Sequence, residues 1–193
     1  MSTTLFVFCF ILAGTIFSSH GAEVQGPPYN ATAAFLSYGS YEMKYRNYLD
    51  DQIFGNYPCV SRWGGSDKRP DDPIKIKYML RNYRGDPSTE RKDIIVGFYN
   101  GEVNTFHYAA SKSHNQKRKL IYLNETERCQ VTKTYKKGKG SQAFSDCTLW
   151  MGYYKVDDNP PDECKKVYDN CGGSTKVQYH ENCKYKPPEP KRH

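Results

Sequence analysis

The chain has 193 residues and a net charge of +7, from 28 Lys and Arg against 21 Asp and Glu. That length is typical of a single domain and is large enough to bury a hydrophobic core. No segment after residue 21 is apolar enough to span a bilayer, which excludes a membrane-spanning protein. No nucleic-acid-binding module is recognised, so the positive charge predicts no nucleic-acid partner and leaves open an attraction to glycans or cell surfaces.

Residues 1–21, MSTTLFVFCFILAGTIFSSHG, have the pattern of a secretory signal peptide. They contain an apolar run from Leu5 to Phe17 and the small residues Ser19 and Gly21 at −3 and −1 of a cleavage point. The n-region lacks the usual Lys or Arg. The run is shorter than the roughly 20 residues that a transmembrane anchor needs. The sequence therefore predicts a secreted mature chain, with one domain over 22–185 and a polar, proline-rich tail over 186–193 that need not be ordered.

Six cysteines remain once Cys9 is removed with residues 1–21: Cys59, Cys129, Cys147, Cys164, Cys171 and Cys183. An even number in an oxidising compartment predicts three disulfides. A zinc site is the alternative, but there is no C-x-x-C pair and the spacings match no metal ribbon. Six cysteines allow about 15 pairings, so spacing does not choose among them.

Two N-x-[ST] sequons, at Asn30 and Asn124, accompany these cysteines. Both lack proline at the middle position and lie beside turn-like sequence, where an acceptor is exposed. We therefore predict a secreted glycoprotein with N-linked glycans at both positions.

Eight short segments with alternating or apolar patterns follow one another between turns. In chain order they are YEMKYRNY, PCVSRW, PIKIKYMLRNY, KDIIVGFY, TFHYAAS, KLIYL, CQVTKTY and CTLWMGYY. The third places Ile74, Ile76, Tyr78 and Leu80 on one face and Lys75, Lys77 and Arg81 on the other. The turn YNGEV predicts a type I′ hairpin, and the basic run SKSHNQKRKL is typical of a solvated loop.

This pattern predicts an all-β protein, an antiparallel meander that closes into an eight-stranded barrel, because closure removes exposed strand edges. An immunoglobulin-like sandwich is the rival, but it requires cysteines across the middle of the domain, whereas these cluster late. The segment NPPDECKKVYDNC then predicts a C-terminal helix, with Asn159 as N-cap and with Cys164, Val167 and Tyr168 on one face.

No enzyme motif is present in the chain. G-x-S-x-G, H-E-x-x-H, a P-loop and a dinucleotide fingerprint are all missing, and His107, His114 and His180 have no ligand-like spacing. His107 alternates with Phe106 and Tyr108, which predicts that it faces solvent. We therefore predict neither catalysis nor a metal or cofactor.

The sequence is rich in aromatic residues, with 17 Tyr, 9 Phe and 2 Trp. An aromatic-lined, secreted eight-stranded barrel commonly holds one small ligand. The alternative is that these rings only fill the core, which is the more frequent role for a single ring such as Phe98 or Tyr122.

Three motifs carry a family resemblance. DDQIFGNYPCV, the late CTLW and NPPDEC with its two following cysteines together resemble the tick salivary lipocalins, the arthropod group that includes the histamine-binding proteins. The likeness runs from Phe35 to Cys183. It implies an eight-stranded lipocalin barrel with a C-terminal α-helix packed on it, and the disulfides Cys59–Cys183, Cys129–Cys164 and Cys147–Cys171.

The amine-binding signature of that family is broken at two places. Members that bind biogenic amines have C-D-[VIL] and E-L-[WY], whereas this chain has CQV and TLW, so Gln130 and Thr148 replace two carboxylates. Taking a cation out of water without a paired anion costs several kcal/mol. Other positions similar to the amine pocket are kept: Asp51, Phe54, Glu90, Phe106, Tyr108 and Trp150. A reduced amine site built on Asp51 and Glu90 is therefore the alternative.

The resemblance implies a carrier of a small apolar ligand, such as a sterol, fatty acid or eicosanoid, with cholesterol as the leading candidate. The residues expected to line its pocket are Phe54, Ile76, Tyr78, Phe106, Tyr108, Thr148 and Trp150. It also implies a monomeric protein of saliva that modulates host immune or inflammatory responses. A protein-binding immunomodulator that contacts host immune cells through its surface is the second functional hypothesis.

Overall fold

The computed structural model describes residues 29–36, 39–63, 73–82, 89–111, 114–135 and 144–183. The predicted signal peptide, Cys9 and the predicted tail over 186–193 lie outside these residues. The strands are β1 (Tyr41–Arg46), β2 (Cys59–Trp63), β3 (Ile74–Arg81), β4 (Thr89–Tyr99), β5 (Glu102–Ala109), β6 (Asn115–Asn124), β7 (Cys129–Tyr135), β8 (Phe144–Gly152) and β9 (Val177–Gln178). The helices are α1 (Ala31–Leu36) and α2 (Asp162–Asp169).

Strands β1 to β8 form a closed antiparallel barrel. Each strand pairs with the next along the chain, and β1 pairs with β8 as well as with β2, which closes the sheet. The two-residue β9 adds to the far end of β1, where Val177 pairs with Arg46. The predicted eight-stranded barrel is confirmed, and neighbouring strands along the chain are neighbours in space.

The interior of the barrel follows from alternation along each strand. On β3, Ile74, Ile76, Tyr78 and Leu80 are buried while Lys75 and Lys77 are exposed, as predicted. A second apolar cluster lies outside the barrel, between α2 and the outer faces of β6 to β8. Its members include Val131, Leu149, Met151, Cys164 and Tyr168. The barrel therefore has an enclosed interior and one covered outer face.

Helix α2 begins later than the sequence predicts. Its N-cap is Pro161, which provides no side-chain hydrogen bond, so the prediction of Asn159 as N-cap is wrong. A residue that precedes proline is restricted to extended conformations, so Pro160 cannot join the helix. Asp162 and Glu163 in the first turn interact favourably with the helix N-terminus instead.

Helix α1 was not predicted from the sequence. Asn30 accepts a hydrogen bond at Oδ1 from the backbone N–H of Ala33, at 3.0 Å, and so caps the helix. Phe35 is buried, with its ring centroid 4.9 Å from that of Phe106 and 6.1 Å from that of Tyr108. The helix therefore contributes an aromatic ring to the barrel interior.

Two local predictions about turns and loops need correction. The Asn100–Gly101 hairpin forms, but Arg128 is the only non-glycine residue with positive φ in the described ranges, so the turn is not type I′. Strands β4 and β5 also shift register between Phe98 and Tyr99, and such irregularities increase the local twist of a strand pair. The basic run expected as a solvated loop becomes strand β6 from Asn115 onward.

Three disulfides join the chain, in the pairs that the family resemblance implies. Cys59 on β2 bonds to Cys183, Cys129 on β7 bonds to Cys164 on α2, and Cys147 on β8 bonds to Cys171. The second bond fixes α2 against the barrel. The other two attach the segments after α2 to β2 and β8.

The described residues contain no helix with the length and apolarity needed to cross a bilayer.

Both sequons have geometry compatible with the predicted glycans. Asn30 is exposed and Asn124 is partly exposed. Each uses Oδ1 as an acceptor, Asn124 from the N–H of Glu127 at 2.9 Å, so the nitrogen Nδ2 that would carry the sugar takes no part in these bonds. We expect the intact mass of the secreted protein to fall after glycosidase treatment, and to fall less in Asn30→Gln and Asn124→Gln variants. An unchanged mass would contradict this prediction.

Candidate ligand site in the barrel interior

The β1–β2 loop, residues 47–58, folds into one end of the barrel. Asp51 Oδ1 accepts hydrogen bonds from the backbone N–H groups of Ile53 and Phe54, at 2.8 and 3.0 Å. Asp51 and Gly55 also exchange two backbone hydrogen bonds, and Gly55 has φ of 58°, which glycine adopts without strain. This compact turn directs Ile53 and Phe54 inward, where both are buried.

Phe54 lies between aromatic rings from three strands. Its ring centroid is 5.0 Å from Tyr78 on β3, 5.6 Å from Tyr108 on β5 and 5.9 Å from Trp150 on β8. Tyr78 donates a hydrogen bond to the hydroxyl of Tyr108, at 3.0 Å. The centre of the barrel is therefore occupied by an aromatic cluster that the β1–β2 loop completes.

A buried ion pair lies beside this cluster. Arg118 Nη2 donates to Asp51 Oδ2, and neither side chain is exposed to solvent. Arg118 also donates to Gln116 Oε1 from Nε and Nη2, at 3.1 and 2.6 Å. Its guanidinium carbon is 5.1 Å from the ring centre of Phe54 and 4.9 Å from that of Tyr108. Arg118 is thus held by a carboxylate, an amide oxygen and two aromatic rings.

Both members of this pair keep their charge. Burial by itself raises the pKa of Asp51, but the Arg118 guanidinium and the hydrogen bonds from Phe54, Ile53 and Tyr48 outweigh it, so the pKa lies below its usual value. Burial alone would lower the pKa of Arg118, and the Asp51 carboxylate more than reverses this effect. The pair is therefore ionic at neutral pH.

Thr148 is engaged within the protein. Its Oγ1 lies 2.6 Å from the hydroxyl of Tyr48, which also donates to Asp51 Oδ2 at 2.9 Å. Burial and the adjacent Asp51 raise the pKa of Tyr48, so it stays protonated as a donor. The hydroxyl of Thr148 thus supports the β1–β2 loop.

Three side chains with N–H donors, Arg62, Gln130 and Trp150, form a donor cluster in the interior. Gln130 pairs with Trp150 across β7 and β8, and the Arg62 guanidinium carbon is 5.7 Å from the indole. Arg62 also stacks on Tyr41 and Phe35, at 4.4 and 4.5 Å. Arg62 Nη1, Gln130 Nε2 and Trp150 Nε1 are buried without a hydrogen-bond partner among the described residues. Each unsatisfied donor costs about 1–3 kcal/mol, so this cluster is suited to an acceptor group.

Arg46 is a further buried guanidinium near the β1–β2 loop. Its Nη1 donates to the carbonyl oxygen of Gly55, at 3.2 Å, whereas Nε and Nη2 have no partner in the described part of the chain. Burial lowers the pKa of Arg46. The described interior holds three guanidinium groups, those of Arg46, Arg62 and Arg118, where the sequence predicted an apolar, aromatic lining.

The residues expected to line the pocket all lie in the barrel interior. Phe54, Ile76, Tyr78, Phe106, Tyr108 and Trp150 belong to one buried cluster, and Thr148 is buried beside Tyr48. Gln130 is buried next to Trp150. Their roles toward a ligand remain predictions.

The structure does not bring Asp51 and Glu90 into one amine site. Asp51 is bonded to Arg118 in the interior. Glu90 is exposed and forms an ion pair with Lys92, at 3.1 Å. The two carboxylates therefore have different partners and different environments.

Three arginines lie in the interior although the sequence did not predict them there: Arg46, Arg62 and Arg118. Arg118 was read as part of a solvated basic run, yet Gln116, Arg118 and Leu120 alternate toward the interior of β6. The signal was this alternation, which continues into KLIYL. Arg62 likewise alternates with the buried Val60 on β2.

The prediction that His107 faces solvent is correct only in part. His107 lies on the outer face of β5 as predicted, but it is half-buried, its ring packs against Gly97, and burial lowers its pKa. Within the described ranges, no group of three or more His, Cys, Asp or Glu side chains is placed to hold a metal ion.

Comparison with a family model gives a match over most of the chain. The family is described as tick histamine binding protein, and the match covers residues 25–185. A search of curated protein sequences gives no match.

Solved structures that resemble this fold include a tick protein and a lobster protein. Japanin from Rhipicephalus appendiculatus, bound to cholesterol, has a TM-score of 0.52 and 13% identity, over 78% of this chain and 98% of Japanin. Lobster apocrustacyanin A1 has a TM-score of 0.51 and 13% identity, over 78% of this chain and 81% of the other. These likenesses show the fold, and the closed eight-stranded barrel is that of a lipocalin.

Proposed function

Because the chain belongs to the tick histamine-binding protein family, we propose that it is a secreted lipocalin that carries a small apolar ligand inside its barrel. The observation that carries this proposal is the buried aromatic cluster around Phe54, next to donors that have no partner among the described residues. Aromatic walls suit an apolar body, and convergent polar groups suit one oriented end. The protein is a binding protein in this proposal, and it acts as a monomer without a cofactor.

The polar end of the ligand is an acceptor in this proposal. Arg62 Nη1, Gln130 Nε2 and Trp150 Nε1 are all N–H donors, so they need an oxygen that accepts hydrogen bonds. A sterol hydroxyl provides such an oxygen on a rigid apolar body, and each buried CH₂ contributes about 0.8 kcal/mol. The cholesterol bound to Japanin supports a sterol as the first candidate.

Uptake of the ligand requires the β1–β2 loop to move. Phe54 occupies the space between Tyr78, Tyr108 and Trp150, where a ligand of this size would lie. In our proposal, Phe54 leaves this position when the ligand binds and the loop packs against the ligand afterwards.

A lipid carboxylate is the second candidate ligand end. The buried guanidinium groups of Arg62 and Arg46 favour it, because both have N–H groups without partners in the described residues. Hydrogen bonds between ionised groups are roughly twice as strong as neutral ones. A fatty acid or an eicosanoid has this chemistry.

The environment of the acids opposes the amine alternative. Asp51 already has the Arg118 cation as its partner, and Glu90 is exposed beside Lys92. Gln130 and Thr148 add no negative charge. An amine would therefore have to displace a buried ion pair.

The ligand is tested by organic extraction of the secreted protein followed by mass spectrometry, and by binding of radiolabelled cholesterol and oleate to the delipidated protein. Arg62→Gln keeps donors and removes the charge, and the exposed Arg91→Gln is its matched control. If the ligand is a carboxylate, Arg62→Gln weakens oleate binding by about tenfold or more. If it is a sterol, Arg62→Gln changes cholesterol binding little. The absence of any extracted lipid together with no binding of either probe would overturn the proposal.

Secretion and host modulation are part of the same proposal. The signal-like residues 1–21 and the three disulfides support an oxidising, extracellular compartment. Modulation of host immune or inflammatory responses at the feeding site rests on the family resemblance. Contact with host immune cells through the protein surface remains the alternative. Binding of labelled protein to immune cells, with and without replacement of the lysines in the segment KKGKGSQ (residues 136–142), tests it.

A further inference from the structure

The interior of the barrel contains a cation site that the protein itself occupies. The Asp51 carboxylate, the Gln116 amide oxygen and the rings of Phe54 and Tyr108 all face the Arg118 guanidinium. Carboxylates, amide oxygens and aromatic faces are the groups by which proteins recognise cations. The same set would recognise a guanidinium or ammonium group on a small ligand.

The site is built into the fold by several elements. Asp51 is oriented by the N–H groups of Ile53 and Phe54 and by the hydroxyl of Tyr48. Arg118 and Gln116 project from β6, and Tyr108 projects from the adjacent β5. Arg118 and Asp51 are both fully buried. A ligand cation therefore meets a carboxylate that is already positioned and already neutralised.

We propose that Arg118 is the specificity-determining residue of this barrel, an internal cation that occupies the Asp51 site and so excludes cationic amines. A ligand amine could bind Asp51 only by displacing Arg118, whose charge would then be buried without its partner. Leaving a buried charge uncompensated is strongly unfavourable. The exclusion follows from the Arg118 side chain and is independent of which lipid the barrel carries.

The proposal predicts that removal of this side chain converts the barrel into a cation receptor. Arg118→Ala leaves the Asp51 carboxylate, two aromatic faces and a space of guanidinium size. We expect Arg118→Ala to bind methylguanidinium and histamine, and the affinity of the unsubstituted protein for both to be at least about 100-fold weaker. Isothermal titration calorimetry measures both affinities.

Two further variants act as controls, one for the role of Asp51 and one for the neighbouring Arg46. Asp51→Asn/Arg118→Ala removes the carboxylate and should abolish the acquired binding. Arg46 is the second guanidinium near Asp51, and in Arg118→Ala it could take the vacated place. The same titrations are therefore made with Arg46→Gln/Arg118→Ala. Binding of a cation by Arg118→Ala or by Arg46→Gln/Arg118→Ala supports the proposal if that binding is lost when Asp51 is replaced by Asn.

Folding of the variant is itself a readout. If Arg118→Ala does not fold alone, it is refolded with millimolar methylguanidinium or with the same concentration of sodium chloride. Recovery with methylguanidinium only supports the proposal, and equal failure with both salts overturns it. The proposal would also be overturned if both Arg118→Ala and Arg46→Gln/Arg118→Ala fold but bind no cation. Histamine binding by the unsubstituted protein that depends on Asp51 would overturn it as well.

This inference concerns the same interior as the proposed function, and the two fail separately. The cation titrations need no lipid, and the lipid extraction uses the unsubstituted protein. A barrel that carries no lipid can still show cation binding after Arg118→Ala.

Discussion

Replacing Asp51 by alanine should reduce the free energy of unfolding by about 3–5 kcal/mol, because it leaves the Arg118 charge buried without its partner. The variant also loses the acceptor for the N–H groups of Ile53 and Phe54, so the β1–β2 loop should loosen. Equilibrium unfolding in urea measures the loss. The matched control is Asp93→Ala, which breaks the exposed pair between Asp93 and Lys75 and should hardly change the midpoint. Similar midpoints for the two variants would contradict the prediction.

Acidification tests the same ion pair without a substitution. The pKa of Asp51 is below its usual value in the folded protein and is about 3.9 when unfolded. Its contribution to stability is therefore present above about pH 3.9 and is lost as the pH falls through the lower folded pKa. The loss of stability in this acidic range should be smaller in Asp51→Ala than in the unsubstituted protein.

Loss of the Cys59–Cys183 disulfide should destabilise the protein more than loss of Cys147–Cys171. The first bond joins residues 124 apart in the chain, and the second joins residues 24 apart. Loop entropy then predicts contributions of about 5 and about 3.5 kcal/mol, because the longer loop restricts the unfolded chain more.

Two double-alanine variants, one for each bond, provide the comparison. Their unfolding in urea under non-reducing conditions should differ by about 1.5 kcal/mol. The Cys59–Cys183 bond also positions the carbonyl oxygen of Cys183, which accepts a hydrogen bond from Arg81. Equal stabilities of the two variants, or a greater loss for Cys147–Cys171, would contradict the loop-length argument.

The strands and their inward faces were readable from the sequence. Period-two alternation is a local property, so β3 and β7 could be placed from a few residues each. The short spacing between strands also predicted a meander, which closes as expected. The helix boundaries were harder to predict from the sequence. The start of α2 depends on the restriction imposed by two prolines, and α1 is a single capped segment of six residues.

The candidate site was readable only in part. Aromatic side chains at inward positions, such as Phe106, Tyr108 and Trp150, could be assigned to the interior because burial of rings follows strand parity. The same parity placed Arg62 and Arg118 inside, but charged residues are rarely fully buried without a partner. A basic run is therefore read as solvated unless its partner is known.

The sequence by itself determined the barrel, its inward aromatic faces and the neutral side chains at Gln130 and Thr148, because each depends on residue identity and local alternation. Only the tertiary structure decided the partners of the buried charges. Asp51 and Arg118 lie 67 residues apart in the chain, and Tyr48 and Thr148 lie 100 apart. Which charges neutralise each other depends on the folding of the β1–β2 loop into the barrel, since Coulomb attraction and desolvation act through space and not along the chain.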